Sequence, residues 1–255
     1  METVTHPTAT RSLPLDDALV QRLTRHVVSS TGRTVVTTAP FTGEPLATLP
    51  QSSASDVTEA FRRARAAQRE WAQRSPRQRI APFLRFSDLL LDRQTEILDI
   101  LQWETGKARK NAFEEVCDAA LGTLHYARHA PRLLRRRRAP GAIPLATRTR
   151  VNYQPKGVVS VITPWNYPLT LPVADAVPAL LAGNAVVAKP DTQTALSALW
   201  AIDLLVEAGP PRDLWLVVLG EPAEIGDPLV DEADYVAFTG STATGARIAH
   251  RAASR

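Results

Sequence analysis

Cysteine occurs once in the 255 residues, as Cys117, so neither an intrachain disulfide framework nor a multi-thiolate zinc site can form. The five histidines (His6, His26, His125, His129 and His250) show no HExxH or similar ligand spacing. Lysine is confined to positions 107, 110, 156 and 189, which leaves arginine as the bulk of the 30 basic residues against 26 acidic ones. Arginine spread this widely is weak evidence for nucleic-acid binding, and no nucleic-acid partner is expected. Nor does any run approach the roughly 18 to 20 uninterrupted apolar residues of a membrane span. The N-terminal METVTHPTATRSLPLDD lacks a basic stretch leading into an apolar core, so the expected setting is cytoplasmic, with no membrane partner.

What is present is an ordinary globular composition: 44% hydrophobic and 22% charged, with 20 Pro and 12 Gly. It suits one large or two modest domains. Residues 1–33, rich in Thr, Pro and Ser, read as a flexible arm before a strand at Thr34 to Thr38. Residues 34–139 read as mainly helical. Ser55 is placed as the N-cap of a helix in which Val57, Phe61, Ala64 and Trp71 recur at helical spacing. A second helix carries Ile80, Phe83, Leu84 and Leu90, and a third stops at Gly106, a C-cap glycine. A fourth, long helix from about Asn111 has Phe113, Val116, Cys117, Ala120 and Leu124 on its buried stripe. Its end at Arg135 to Arg138 reads as a solvated terminus whose cations face the negative end of the macrodipole. Residues 140–156 form an extended ribbon whose free edge calls for a partner.

From Gly157 the pattern becomes strand and helix in alternation. Val158 to Ile162, Ala185 to Lys189, Trp215 to Leu219 and Tyr235 to Phe238 read as short apolar strands, separated by helices and followed by a last helix from Thr242. Such strands are buried on both faces and pair in parallel through right-handed crossovers, so residues 157–255 are expected to form a doubly wound, Rossmann-like α/β core. In that architecture phosphates sit beyond the C-terminal strand ends, where helix N-termini offer free N–H groups. Three strand ends carry polar or glycine signatures there: Thr163-Pro164-Trp165-Asn166-Tyr167-Pro168, Lys189-Pro190-Asp191-Thr192-Gln193-Thr194, and Phe238-Thr239-Gly240-Ser241-Thr242-Ala243-Thr244-Gly245. Each alone reads equally as a capped loop. Together they converge on one crevice.

In order and spacing, PWNYP, GNAVVAKPDTQT and FTGSTATG resemble the N-terminal half of the aldehyde dehydrogenase superfamily. Glu104-Thr105-Gly106-Lys107 and Thr42-Gly43-Glu44 look like further landmarks of it, so the resemblance covers roughly Thr34 to Arg255. The texture around Gly141-Ala142-Ile143-Pro144 and GVVSVITPWNYPLTL is most similar to NADP-dependent succinate-semialdehyde dehydrogenases.

The resemblance implies a role for each matching residue. Asn166 matches the amide that donates to the oxyanion of the covalent intermediate, and an uncharged donor on a rigid turn suits that task. Lys189 matches the residue that holds the adenosine ribose. Ser241, with the amides of the last helix, matches a pyrophosphate site. Thr163, Pro164, Trp165 and Phe238 match positions lining the cofactor crevice, while Gly226 and Gly240 match points of close backbone approach. Thr192 stands where a selective glutamate occurs in the family. Being neutral, it favours NADP over NAD, although Asp191 beside it could return a carboxylate to the ribose.

The same resemblance implies a small aldehyde substrate, homo-oligomer assembly through the ribbon, and an attacking cysteine and a water-activating glutamate that lie downstream of the last helix. Cys117, on a helical stripe, does not match that cysteine. The expectation is therefore a truncated chain, incomplete relative to the family fold and without the catalytic domain. It would act with a longer chain or a complementing C-terminal half, or else persist as an inactive dinucleotide-binding fragment. Pro222 stands where many relatives have a second glycine beside the adenine.

Overall fold

Two largely apolar runs, Val158–Ile162 (β5) and Ala185–Lys189 (β6), form the buried centre of a four-stranded parallel sheet, flanked by Trp215–Val217 (β7) and Tyr235–Phe238 (β8) in the order β7-β6-β5-β8. The computed structural model describes residues 15–143 and 146–254. Positions 1–14 of the expected arm, Pro144 and Leu145 of the ribbon, and Arg255 lie outside the described residues. The helices are Asp17–Thr24 (α1), Ala54–Gln73 (α2), Ile80–Asp92 (α3), Gln94–Thr105 (α4), Arg109–Leu133 (α5), Thr170–Leu181 (α6), Ala195–Ala208 (α7), Pro222–Asp231 (α8) and Thr242–Ala253 (α9). Two antiparallel ribbons complete the structure: Thr34–Thr38 (β1) with Pro45–Pro50 (β2), and Arg137–Ala139 (β3) with Thr149–Val151 (β4).

In β5 and β6 only the last residue of each strand escapes full burial. That burial is what continuous apolar strands covered on both faces require. β8 departs from it, because it is the edge strand and Tyr235 is 55% exposed. The helical region and the sheet share one core, in which Trp71, Phe61, Phe83, Phe86, Trp200 and Trp215 are fully buried. Trp71 packs with its indole N–H satisfied by the Leu180 carbonyl at 2.8 Å.

Helix α2 starts two residues earlier than its periodicity suggests, because Ser53 and Asp56 form a reciprocal capping box. The buried stripe of α5 is also rotated from the expected one. Ala112, Val116, Ala119, Ala120, Ala127 and Ala130 face inward with Glu115 and Thr123, while Phe113 is 41% exposed and Cys117 half-buried. Small side chains let α5 lie close to α3 and α6, and close approach selects the alanine face over the bulkier one. The arginine run is likewise not a helix terminus. The helix stops at Leu133, two residues past Pro131, and Arg137 and Arg138 enter β3, where Arg138 pairs opposite Arg150 of β4.

The flexible arm expected over 1–33 gives way to structure from Asp17. Leu23 is fully buried, Val27 bridges Val217 in parallel, and Val28 donates to the Val217 carbonyl at 2.8 Å. This segment therefore covers the β7 edge of the sheet. Asp203 on α7 anchors it electrostatically, accepting from Arg25 at 2.8 Å and facing the buried His26 Nε2 at 2.7 Å.

Burial alone would raise the Asp203 carboxyl, but its hydrogen bonds to His26 and Arg25 outweigh that and hold it at about 2. A depressed native pKa adds stability that is complete above the unfolded value, near 3.8, and disappears as pH falls through about 2. Asp203→Asn should therefore cost roughly 2 kcal/mol in urea unfolding near neutral pH. The gap between the two chains should close as the pH is lowered through that window; a gap independent of pH would remove Asp203 as the anchor.

Candidate functional site

The strand order creates a topological switch point: the chain runs from β5 outward through β6 to β7, then crosses back to place β8 on the other side of β5. Ligand crevices in doubly wound sheets open at this point, beyond the carboxyl ends of the strands. A crevice of about 200 Å³ lies there, between the strand ends and the facing sides of α8 and α9.

The three predicted loops meet at this crevice. Thr163 follows β5, is buried, and donates its N–H to the Lys189 carbonyl at 3.2 Å, while Thr239 after β8 donates to the Ile162 carbonyl at 3.0 Å. These bonds zip the loops onto the sheet. Of the predicted residues, Thr163, Pro164, Lys189, Gly226, Phe238 and Gly240 line the crevice. A Cβ at Gly240 would come within 2.5 Å of the Phe238 ring, so a side chain there would have to displace that ring.

Four predicted residues lie outside the lining. Trp165 is 59% exposed and Asn166 is exposed beside it, on the loop that leads from β5 to α6. Thr192 sits in a single 3₁₀ turn, capped by Asp191, whose carboxylate accepts from the Gln193 N–H at 2.9 Å. Ser241 is the N-cap of α9. Its hydroxyl accepts from the Thr244 N–H at 3.3 Å and donates to the Thr244 hydroxyl at 3.0 Å.

Most of the opposite wall escapes the sequence reading, which singles out Gly226, Pro222 and the string that holds Thr244. Thr244, Arg247, Ile248 and Arg251 line the crevice from α9, and Pro222, Gly226, Asp227 and Val230 line it from α8. Their spacing of three and four residues was the available signal, since it puts each set on one helical face. Arg251 is neutralised by Asp227 at 2.9 Å and by Asp231. Lys189 and Arg247 form no ion pair among the described residues, and with the Asp191 carboxylate also in the lining the slot combines apolar walls with charges of both signs, positive in excess. Burial lowers the Lys189 pKa, opposed by the charges of Asp191 and Glu221.

A buried carboxylate fixes the helix behind Lys189. Glu104 accepts from the backbone N–H groups of Leu196 and Ser197 at 2.7 and 2.9 Å and from the Ser197 hydroxyl at 2.6 Å, at the start of α7. Burial pushes this carboxyl up to about 8 against the pull of those three donors. The described residues contain no cluster of three or more His, Cys, Asp or Glu able to hold a metal ion, and no helix long and apolar enough to cross a membrane.

The model of the aldehyde dehydrogenase family matches residues 27–255. A Mycolicibacterium smegmatis protein described as a succinate-semialdehyde dehydrogenase (NADP+) is 50% identical over 215 residues, covering 84% of this chain and 42% of the relative. The D-glyceraldehyde dehydrogenase (NADP+) of Picrophilus torridus is 33% identical over 230 residues, covering 88% of this chain and 45% of the relative. Among solved structures, an NAD-dependent benzaldehyde dehydrogenase from Corynebacterium glutamicum superposes with a TM-score of 0.83 at 34% identity, covering 89% of this chain and 50% of that one. The chain thus spans about half the length of the relatives it matches.

Proposed function

Because the chain belongs to the aldehyde dehydrogenase family, we propose that it supplies the cofactor-binding portion of a dehydrogenase that oxidises a small aldehyde, succinate semialdehyde in the first instance, to its carboxylic acid with NADP. The observation that carries this reading is the switch-point crevice, whose apolar walls accept a planar base while Lys189 and Arg247 offer positive charge to phosphate. The donor set fits a dinucleotide.

Each residue then has a task. Lys189 donates to the adenosine ribose and its 2′-phosphate; a phosphate beside a partly desolvated amine also favours the amine's charged form. Gly226 and Gly240 let backbone approach the dinucleotide, and Thr163, Pro164 and Phe238 wall it in, with Trp165 exposed on the loop that follows. The α9 N-terminus, with Ser241, takes pyrophosphate oxygen. A bound nicotinamide would supply a hydride acceptor for the carbon once a nucleophile from the downstream half has added to the aldehyde. Asn166 donates through its side-chain amide to the aldehyde oxygen as negative charge develops on it, lowering the barrier without introducing a charge of its own.

NADP is preferred to NAD in this reading because Thr192 is neutral and can donate where a carboxylate would repel a 2′-phosphate. The NADP named for the Mycolicibacterium smegmatis and Picrophilus torridus relatives supports the choice. The test joins this chain to the downstream half of the Mycolicibacterium smegmatis relative and compares kcat/KM for the two cofactors, with succinate semialdehyde as substrate, before and after Thr192→Glu. The substitution should swing selectivity toward NAD by an order of magnitude or more, on the order of 1.4 kcal/mol. A parent that already prefers NAD, or a ratio unmoved by the substitution, would show that Thr192 does not set the preference.

A further inference from the structure

The run Glu104-Thr105-Gly106-Lys107 ends α4 and begins the turn to α5, and Lys107, 59 residues before Asn166, reaches the loop that carries it. Gly106 makes this possible. It closes α4 in the left-handed region (φ +72°), so the chain turns and Lys107 projects across to the sheet.

Lys107 Nζ donates to the Asn166 carbonyl at 2.6 Å, lies 4.2 Å from the centroid of the Tyr167 ring, and is ion-paired to Glu115. Glu115, whose side chain is wholly buried on α5, uses its other oxygen to accept from the Leu169 and Thr170 N–H groups at 3.1 and 3.2 Å. Its own carbonyl accepts from the Thr170 hydroxyl at 3.3 Å.

Besides the Leu171 N–H, which donates to the Tyr167 carbonyl at 3.1 Å, and the burial of Pro168 and Leu169, the exposed part of the loop has few anchors. Trp165, Asn166 and Tyr167 are all exposed, so apolar packing contributes little, and Pro164 and Pro168 have no N–H to donate. The Asn166 carbonyl and the Leu169 and Thr170 amides are the handles on either side of Pro168, and this one ion pair grips all three.

We propose that Lys107, held by Glu115, is a positioning residue for Asn166, fixing the main chain there so that the side-chain amide meets the aldehyde oxygen in the geometry oxyanion stabilisation requires. The inference rests on the assignment of Asn166 as the oxyanion donor. Lys107 lies outside the lining of the crevice. It acts by removing loop freedom, and a misplacement of about 1 Å at such a donor can cost a hundredfold in rate.

The test compares Lys107→Met, Lys107→Arg and the charge-balanced double variant Lys107→Met/Glu115→Gln with Asn166→Ala. The double variant matters because Lys107→Met alone strands a buried carboxylate and endangers folding. In the 255-residue chain, amide exchange at Leu169 and Thr170 should accelerate by about tenfold or more when Lys107 is lost, with β5 exchange and NADP affinity within about twofold of the parent. In the chain joined to the downstream half, kcat should fall by about 30-fold at nearly constant KM for aldehyde and NADP, and Lys107→Arg should restore most of it. If Asn166→Ala lowers kcat while the Lys107→Met and double variants leave it unmoved, the positioning role is overturned. Should Asn166→Ala itself leave kcat unchanged, the oxyanion assignment falls, and the proposal with it.

Discussion

Replacing Asn166 by alanine in the chain joined to the downstream half of the Mycolicibacterium smegmatis relative is expected to lower kcat by about 10² to 10³, the range typical for removing one oxyanion donor. KM for the aldehyde should change little, because the amide's contribution grows only as negative charge develops on the carbonyl oxygen. The substitution is structurally mild. Asn166 is exposed, and the Lys107 contact it makes is through the main-chain carbonyl, which alanine retains. Asn166→Asp should be at least as damaging, since it sets a carboxylate against the developing oxyanion. Steady-state kinetics with succinate semialdehyde and NADP decide the matter. A kcat within about threefold of the parent would place the oxyanion elsewhere.

The α/β half of the fold was legible because its signals are local. A β-branched run such as Val158 to Ile162, followed by an apolar helix closed at Gly183-Asn184, leaves little choice of element, and burial on both faces leaves little choice of pairing. The three loops were legible for the same reason, as each is a contiguous string at a strand end. Helix α1 was missed because its stability comes from distant partners: Leu23 enters the common core, and Arg25 and His26 meet Asp203 across 178 and 177 residues. A Thr- and Pro-rich flank gives no hint of that.

The rotation of α5 illustrates a second limit. Periodicity there admitted two stripes, and the choice fell to close helix packing, which favours alanine over Phe113 and which no single segment reveals. The crevice wall formed by Arg247 and Ile248 was hidden in the same way. Helical spacing marks a face, but only the docking of α9 against α8 shows what that face meets. The Glu104-Thr105-Gly106-Lys107 run stood out as a landmark, yet its grip on the Asn166 loop and on the start of α7 depends on contacts 59 to 93 residues away.

The most direct measurement of the central claim, that the switch-point crevice is a dinucleotide site, is a calorimetric titration of NADP into the 255-residue chain and into Gly226→Phe. Gly226 lies on α8 and lines the crevice, and a Cβ at that position meets nothing within 4 Å. The phenylalanine ring can therefore fill the slot without straining the helix that carries it. The parent is expected to bind one equivalent of NADP, and Gly226→Phe, with its far-UV spectrum and cooperative unfolding preserved, should lose at least about a hundredfold in affinity, or roughly 2.7 kcal/mol. Equal binding by both folded chains, or none by the folded parent, would contradict the account.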